Sequence, residues 1–372
     1  MENNLKKYTM IVTLFAFVST ASAPSILTAQ QQALGEITVL DNVENIVAVD
    51  NVCAWPNLTL LPDGTIIATI YNKPSHGLEE GEADCYASAD GGRTWTYTGT
   101  PIEHEPGETR MNLAAGLSND GSLVVIISGW GGKGFREYIV PNSVCRSKDG
   151  GKTWETKGSV DLPEGEPDLI PFGDIVRLGG KTLAAPAYGT QGGSKPAYIL
   201  YSYDDGYTWG GAVPIGEVWN RAGALNNFNE STVLRINTDR WLAAVRTDGG
   251  GQDLQLLVSE DEGGTWNIPE QLSSGGISRR MEHPAHLLEL ADGRILLTYG
   301  IRWGVHGVGA RVSSDKGETW SAPKVLYYYG GGDGGYPSSV QLDDSTIVTA
   351  YYCDANKNHP RYHMGAIRWK LP

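Results

Sequence analysis

Apolar and polar residues alternate with a period of two through much of the chain, and the alternating runs come in pairs. Leu58 to Tyr71 is split by Asp63-Gly64, Leu113 to Gly129 by Asp120-Gly121, and Ile175 to Tyr188 by Gly179-Gly180. Thr232 to Arg246 breaks at Thr238-Asp239, Leu287 to Gly300 at Asp292-Gly293, and Val340 to Tyr352 at Asp343-Asp344. A period of two puts successive side chains on opposite faces of a strand, and Asp-Gly between two such runs marks a tight hairpin turn. Six hairpins are predicted.

A second pattern lies between them. The element Ser-x-Asp-x-Gly-x-Thr-Trp occurs five times: Ser88 to Trp95, Ser147 to Trp154, Ser202 to Trp209, Ser259 to Trp266 and Ser313 to Trp320. Its aspartates, Asp90, Asp149, Asp204, Asp261 and Asp315, are spaced by 59, 55, 57 and 54 residues. In each box the Ser and Asp are suited to accept hydrogen bonds from the turn's own amides. The Gly can take a left-handed conformation and the Trp can pack between strands, so the boxes read as structural. Each repeat is then a hairpin, a third strand, a box and a fourth strand. Six such units in radial order make an all-β, six-bladed β-propeller with five Asp-box turns. The last hairpin is followed by one more strand, Arg361 to Trp369, and no box. The segment Glu36 to Val49 is expected to supply the missing outer strand and so close the ring without a free edge.

Composition narrows the picture. The chain has 372 residues, a net charge of −14 and 40% hydrophobic residues, enough for a packed core. Such acidity argues against a nucleic-acid partner, because phosphate binding needs a basic face. Lys6 and Lys7, the apolar run Met10 to Val18 and Ala21-Ser22-Ala23 have the order of a secretory signal peptide over residues 1–23. The propeller is expected over 24–372, exported to the periplasm or outside the cell, without membrane insertion and as a monomer. Cys53, Cys85, Cys145 and Cys353 have no zinc spacing and read as small core residues, with a Cys53–Cys353 bridge open. Neither a cofactor nor a metal is expected.

Candidate chemistry follows from aligning the hairpins on their turns. The first strand of each blade lines the central channel, so its start lies at the channel mouth, where the alignment puts Trp55, Asn112, Phe172, Glu230, Pro284 and Tyr336. Glu230 and Tyr336 thus share a rim, and a carboxylate can take the proton that keeps a phenol a weak nucleophile. Arg246 and Arg302 end the second strands of the fourth and fifth hairpins on the same face, where a guanidinium fork suits a carboxylate. The loop Asn72 to Asp84 carries His76, Glu79, Glu80, Glu82 and Asp84, and a carboxylic acid there could protonate a leaving group. His283 stands on the rim as a substrate contact. Trp130, Trp219 and Trp303 fall in face loops and can stack on sugar rings or pack.

The boxes, with Glu230, Arg246 and Tyr336, resemble the bacterial sialidases and the wider Asp-box propeller superfamily. The resemblance implies that Tyr336, in Gly335-Tyr336-Pro337, attacks the anomeric carbon with Glu230 as its base. It also implies that Arg246 and Arg302 belong to an arginine triad that grips the sialic-acid carboxylate. The Arg-Ile-Pro motif that supplies the first arginine is replaced here by Ala54-Trp55-Pro56, leaving Arg110, Arg279 and Arg280 as substitutes. The acid, an Asp of the first blade in that family, corresponds to Glu80, Glu82 or Asp84. The expected function is exo-acting release of terminal sialic acid from a glycan. Another sugar such as a uronic acid, or glycan binding without catalysis, are the alternatives.

Overall fold

The structure is a computed structural model and describes residues 37–134, 136–162, 169–189, 197–216, 227–248, 254–269, 277–278 and 281–371. The predicted signal peptide at 1–23, Trp219, Arg279 and Arg280 lie outside these residues. Every regular element among the described residues is a strand. All six hairpins form as antiparallel pairs: Asn57–Leu60 with Ile66–Tyr71, Asn112–Leu117 with Leu123–Gly131, and Val176–Gly179 with Thr182–Gly189. The other three pair Asn227–Arg235 with Trp241–Asp248, Glu282–Glu289 with Ile295–Ile301, and Gly334–Gln341 with Ile347–Cys353. The result is a propeller-like all-β fold.

Hydrophobic clusters join each hairpin sheet to the next. Ile67 and Cys85 meet Leu123 between the first and second, and Ala114 and Ile126 meet Leu183 and Ala185 between the second and third. Trp241 and Ala243 pack on Ala184 and Ile199, then Leu242 and Ala244 on Leu287 and Leu297. Leu296 and Val308 pack against Ile347 and Tyr351, and Val340 and Val348 meet Leu58 and Ile66, which returns the chain to its first sheet. The core is therefore a succession of inter-sheet layers around an axis. The second and third units also touch edge to edge, where Glu155–Asp161 runs parallel to Thr208–Ile215 and merges them into one ten-stranded sheet.

The closing strand sits where the pattern requires it. Glu44–Asp50 pairs antiparallel with His363–Trp369 at the edge of the last sheet. Thr38–Val39, just ahead of it, pairs parallel with Lys324–Tyr328 of the neighbouring sheet. The N-terminal segment thus ties two sheets together.

The box segments repeat one hydrogen-bond set. The serine hydroxyl accepts from the glycine amide at 2.8–2.9 Å in all five. One aspartate oxygen accepts from the threonine amide at 2.7–2.9 Å. The indole N–H of the tryptophan donates to the glycine carbonyl at 3.0–3.1 Å. Gly92, Gly151, Gly206, Gly263 and Gly317 have φ between 85° and 92°, a conformation that glycine takes at little cost.

The cysteines are core residues as expected, and one other expectation needs correction. Cys53, Cys85, Cys145 and Cys353 are all buried free thiols, so no Cys53–Cys353 bridge is present. The loop expected to run to Asp84 ends at Glu80, because the alternation of buried Ala83 and Cys85 continues into the strand Gly81–Ser88. Glu82 and Asp84 are strand residues.

Candidate active site

Three inner strands lose their regular register at the same height. The ladder of the fourth hairpin shifts between Phe228 and Ser231, that of the fifth between Glu282 and Ala285, and that of the sixth between Gly335 and Ser338. Such irregularities re-aim side chains that regular pleating would send along the sheet face. They hold Glu230, the pair His283-Pro284 and Tyr336 respectively. Tyr336 itself has φ 55°, uncommon for a bulky residue. The preceding Gly335 makes room for it: a Cβ there would come within 3.1 Å of the Gly300 backbone in the next sheet.

These local distortions bring residues 106 apart in sequence into contact. The Tyr336 hydroxyl donates to Glu230 Oε1 at 2.7 Å. Arg246 Nη1 donates to Glu230 Oε2 at 2.5 Å and to the Tyr336 oxygen at 3.3 Å. The Arg302 guanidinium carbon stands 5.3 Å from the centre of the Tyr336 ring, a cation–π arrangement. Glu230 and Tyr336 are both only 4% exposed, so the carboxylate has lost its water and is held by the arginine and the phenol instead. Burial, and then the Glu230 charge, push the Tyr336 phenol well above its ordinary value, while Arg302 and Arg246 pull the other way. Tyr336 is therefore a neutral phenol donating to Glu230. The phenol proton thus has a carboxylate acceptor in contact, and two guanidinium groups stand beside the pair.

Aromatic rings surround the pair. Trp55 lies 5.3 Å from the Tyr336 ring, Tyr352 5.7 Å and Phe172 6.1 Å. Four of the six aligned rim positions, Trp55, Phe172, Glu230 and Tyr336, thus meet in one cluster. A small adjoining cavity of about 30 Å³ is lined by Trp55, Phe172, Thr232, Ala285, His286 and Tyr336. Deeper on the axis, Asp174 accepts from Asn57 at 2.8 Å and pairs with His286 at 2.7 Å, joining inner strands of three units.

Other predicted residues fall outside the cluster or sit in it without exposure. Glu82 holds His104 and, at 2.6 Å, Asn72. Burial works to raise its carboxyl, but His104 and Asn72 outweigh this and leave it below the ordinary range. Asp84 accepts from Thr100 at 2.5 Å and Asn72 at 3.1 Å, and burial pushes its carboxyl up. Arg110 is buried and donates to the Pro141 carbonyl at 2.9 Å, with Glu108 3.8 Å away. None of these partners belongs to the Tyr336 cluster. His283 is fully buried and held neutral, its imidazole lowered to about 3 first by burial and then by Arg246 and Arg302. Trp130 is half-buried under the Arg136 guanidinium, 5.6 Å away, and Trp303 is exposed.

Sequence reasoning missed Asp333. It lies three residues before Tyr336 in a glycine-rich run and gathers groups from three directions. His76 Nδ1 meets its Oδ2 at 2.9 Å, and the hydroxyls of Tyr362 and Tyr352 donate to it at 3.0 and 3.1 Å. Arg302 stands 3.8 Å away. Burial alone would raise the carboxyl. The hydrogen bond and charge of His76, with the tyrosine hydroxyls, outweigh it and hold Asp333 at about 2. Cys53 also has its sulfur within 4.8 Å of the His76 and Asp333 donor atoms, a grouping with metal-ligand chemistry. His76 and Asp333 are already hydrogen-bonded to each other, and burial, then the Asp333 charge, keep Cys53 a thiol.

Comparison with known proteins adds to this geometry. Residues 98–349 match the model of the BNR repeat-like domain. A sialidase of Clostridium perfringens is 26% identical over 268 residues, covering 64% of this chain and 66% of that protein. A sialidase of Bacteroides fragilis is 24% identical over 380 aligned residues, covering 89% of this chain and 67% of that protein. The chain therefore spans about two thirds of each relative. Among solved structures, a Dyadobacter fermentans protein of unknown function superposes with TM-score 0.73 at 23% identity, over 90% of this chain and all of that one. The Hadza microbial sialidase Hz136 gives TM-score 0.65 at 18% identity, over 86% of this chain and 65% of that one. An α-L-arabinofuranosidase from Fusarium graminearum gives 0.61 at 15%, over 88% of this chain and 97% of that one.

Proposed function

The chain belongs to the BNR repeat-like domain family, and from that premise we propose that it is an exo-acting glycoside hydrolase with Tyr336 as nucleophile and Glu230 as its base. The reading includes six blades, the ten-stranded sheet being two of them joined at their outer edges. One observation carries the chemistry: a buried tyrosine and carboxylate 2.7 Å apart, bridged by Arg246, at the mouth of the axis. An ordinary core tyrosine has no need of a buried carboxylate, which is costly to desolvate. Tyr336 would attack the anomeric carbon as its proton passes to Glu230. Water would then release the sugar from Tyr336 with net retention. Terminal sialic acid is the first substrate, supported by the relatives' activity and by Arg246 and Arg302 as carboxylate partners.

A second reading, another terminal sugar, is favoured by Trp55. An apolar ring stands 5.3 Å from Tyr336 where the sialidase pattern calls for an arginine, which weakens the grip on a carboxylate. Hydrolysis of a panel of chromogenic sialosides, uronides and arabinofuranosides by wild type and Tyr336→Phe decides between them. Sialoside cleavage lost in the variant supports the first reading, and cleavage of another sugar lost in the variant supports the second. Glycan binding without turnover, untouched by Tyr336→Phe, would make the protein a lectin-like propeller and end the hydrolase reading.

A further inference from the structure

Retaining hydrolysis needs a group that protonates the departing oxygen and later takes a proton from water. We propose that this acid and base is the imidazole of His76, oriented by Asp333, in place of a carboxylic acid. The proposal rests on the hydrolase reading above and concerns a different residue of the same site.

The loop between the first hairpin and the strand Gly81–Ser88 delivers His76 to the Tyr336 cluster. Its ring packs edge-on against Trp55 at 5.5 Å and lies 6.3 Å from Tyr352, and both of those rings also contact Tyr336. Of the acid candidates that follow it in sequence, Glu80 and Glu82 stand against His104, and Asp84 accepts from Thr100. His76 spends Nδ1 on Asp333 at 2.9 Å, which turns Nε2, on the opposite edge of the ring, into the exchangeable position. A carboxylate behind Nδ1 fixes the tautomer and stabilises the imidazolium. His76 is 29% exposed by its side chain whereas Glu230 is 6%, so the imidazole stands on the solvent side, where a leaving group departs from a sugar held inward.

The charged and titratable groups that face His76 are few. Asp333 holds the ring, and Arg302 lies 3.8 Å behind that carboxylate. Arg136 donates to the His76 carbonyl at 3.3 Å, the Tyr352 hydroxyl lies 3.3 Å from Nδ1, and the Cys53 sulfur closes the buried side. Tyr362 donates to the same Asp333 oxygen, Oδ2, that His76 meets.

In the first step the Nε2 proton passes to the glycosidic oxygen as its bond to the anomeric carbon breaks. The Tyr336 oxygen bonds to that carbon and its proton goes to Glu230. In the second step neutral His76 takes a proton from the attacking water, the bond to Tyr336 breaks, and Glu230 returns the proton to the phenol. The sum is glycoside plus water to free sugar plus alcohol, with all side chains restored.

The test compares His76→Gln with wild type on glycosides of whichever sugar the panel identifies. An acid catalyst matters most for a poor leaving group, so the variant should lose roughly 10²- to 10⁴-fold on an alkyl glycoside and no more than about tenfold on a nitrophenyl glycoside. Asp333→Asn should show the same dependence on leaving group to a smaller degree, because it loosens the ring's orientation. Equal losses on both leaving groups, or this pattern in Asp84→Asn instead of His76→Gln, would overturn the proposal while leaving the hydrolase reading intact. A measurement on the unmodified protein needs neither variant nor substrate: the ¹⁵N spectrum of His76 at high pH should show a protonated Nδ1. The opposite tautomer would overturn the proposal. Wild type inert on every glycoside, with the expected tautomer present, would overturn the hydrolase reading and the acid role with it.

Discussion

The box turns at the periphery and the mouth of the axis are built from the same repeat and treat it in opposite ways. At the boxes five copies keep the same residues and the same bonds, from Gly92–Ser88 to Gly317–Ser313. At the mouth, six aligned positions hold Trp55, Asn112, Phe172, Glu230, Pro284 and Tyr336, no two alike. A role repeated around a ring is a packing role, because every blade edge poses the same problem. A reaction happens once, so its groups appear where the repeat departs from itself. Three of those departures coincide with bulges in the ladders.

The comparison sharpens into substitutions at each end. Tyr336→Phe should lower kcat/KM by about 10³-fold or more, since it removes the attacking atom, and leave the melting temperature within a few degrees. Steady-state kinetics beside a thermal melt checks both halves. Trp209→Ala should do the reverse. It empties a site only 2% exposed between the second and third units, and should cost about 3–5 kcal/mol in a denaturant titration while kcat per folded molecule holds. Asp149→Ala is smaller, about 1–2 kcal/mol, because the Thr153 amide and hydroxyl can turn to water when their acceptor goes. A loss of activity from that box variant at unchanged stability would break the division between the two regions.

Acid exposes the boxes in a finer way. Hydrogen bonds from Thr153, by side chain and then backbone, hold the Asp149 carboxyl at about 2. An unfolded Asp titrates near ~3.9. The stabilisation is therefore complete above that value and is lost as pH falls from there toward about 2. Asp149→Asn should remove its share of the acid sensitivity, read as a flatter dependence of the unfolding midpoint on pH across that window.

The hairpins, the boxes and the closing strand were legible in the sequence because each leaves a local mark: a period of two, a turn dipeptide, or a count that comes out one strand short. Glu230 and Tyr336 were legible for a related reason, since the hairpin turns supply a frame that aligns distant residues. His76 and Asp333 have no such frame. They meet across 257 residues from segments outside the hairpins, where no spacing records the contact. Glu82 and Asp84 misled because an acidic stretch reads as a loop, whereas buried Ala83 and Cys85 between and beyond them carry it into a strand. The same limit applies to Arg110, whose burial against Pro141 has no sequence signal.

The central claim is that Tyr336 forms a covalent bond to sugar with Glu230 as its base. The most direct test uses a fluorinated glycosyl fluoride of the cleaved sugar, which forms the glycosyl–enzyme readily and releases it slowly, followed by digestion and mass spectrometry. The account predicts one sugar adduct on the peptide that contains Tyr336, none in Tyr336→Phe, and product released with retained configuration. An adduct on another residue, or an inverted product with no adduct, would contradict it.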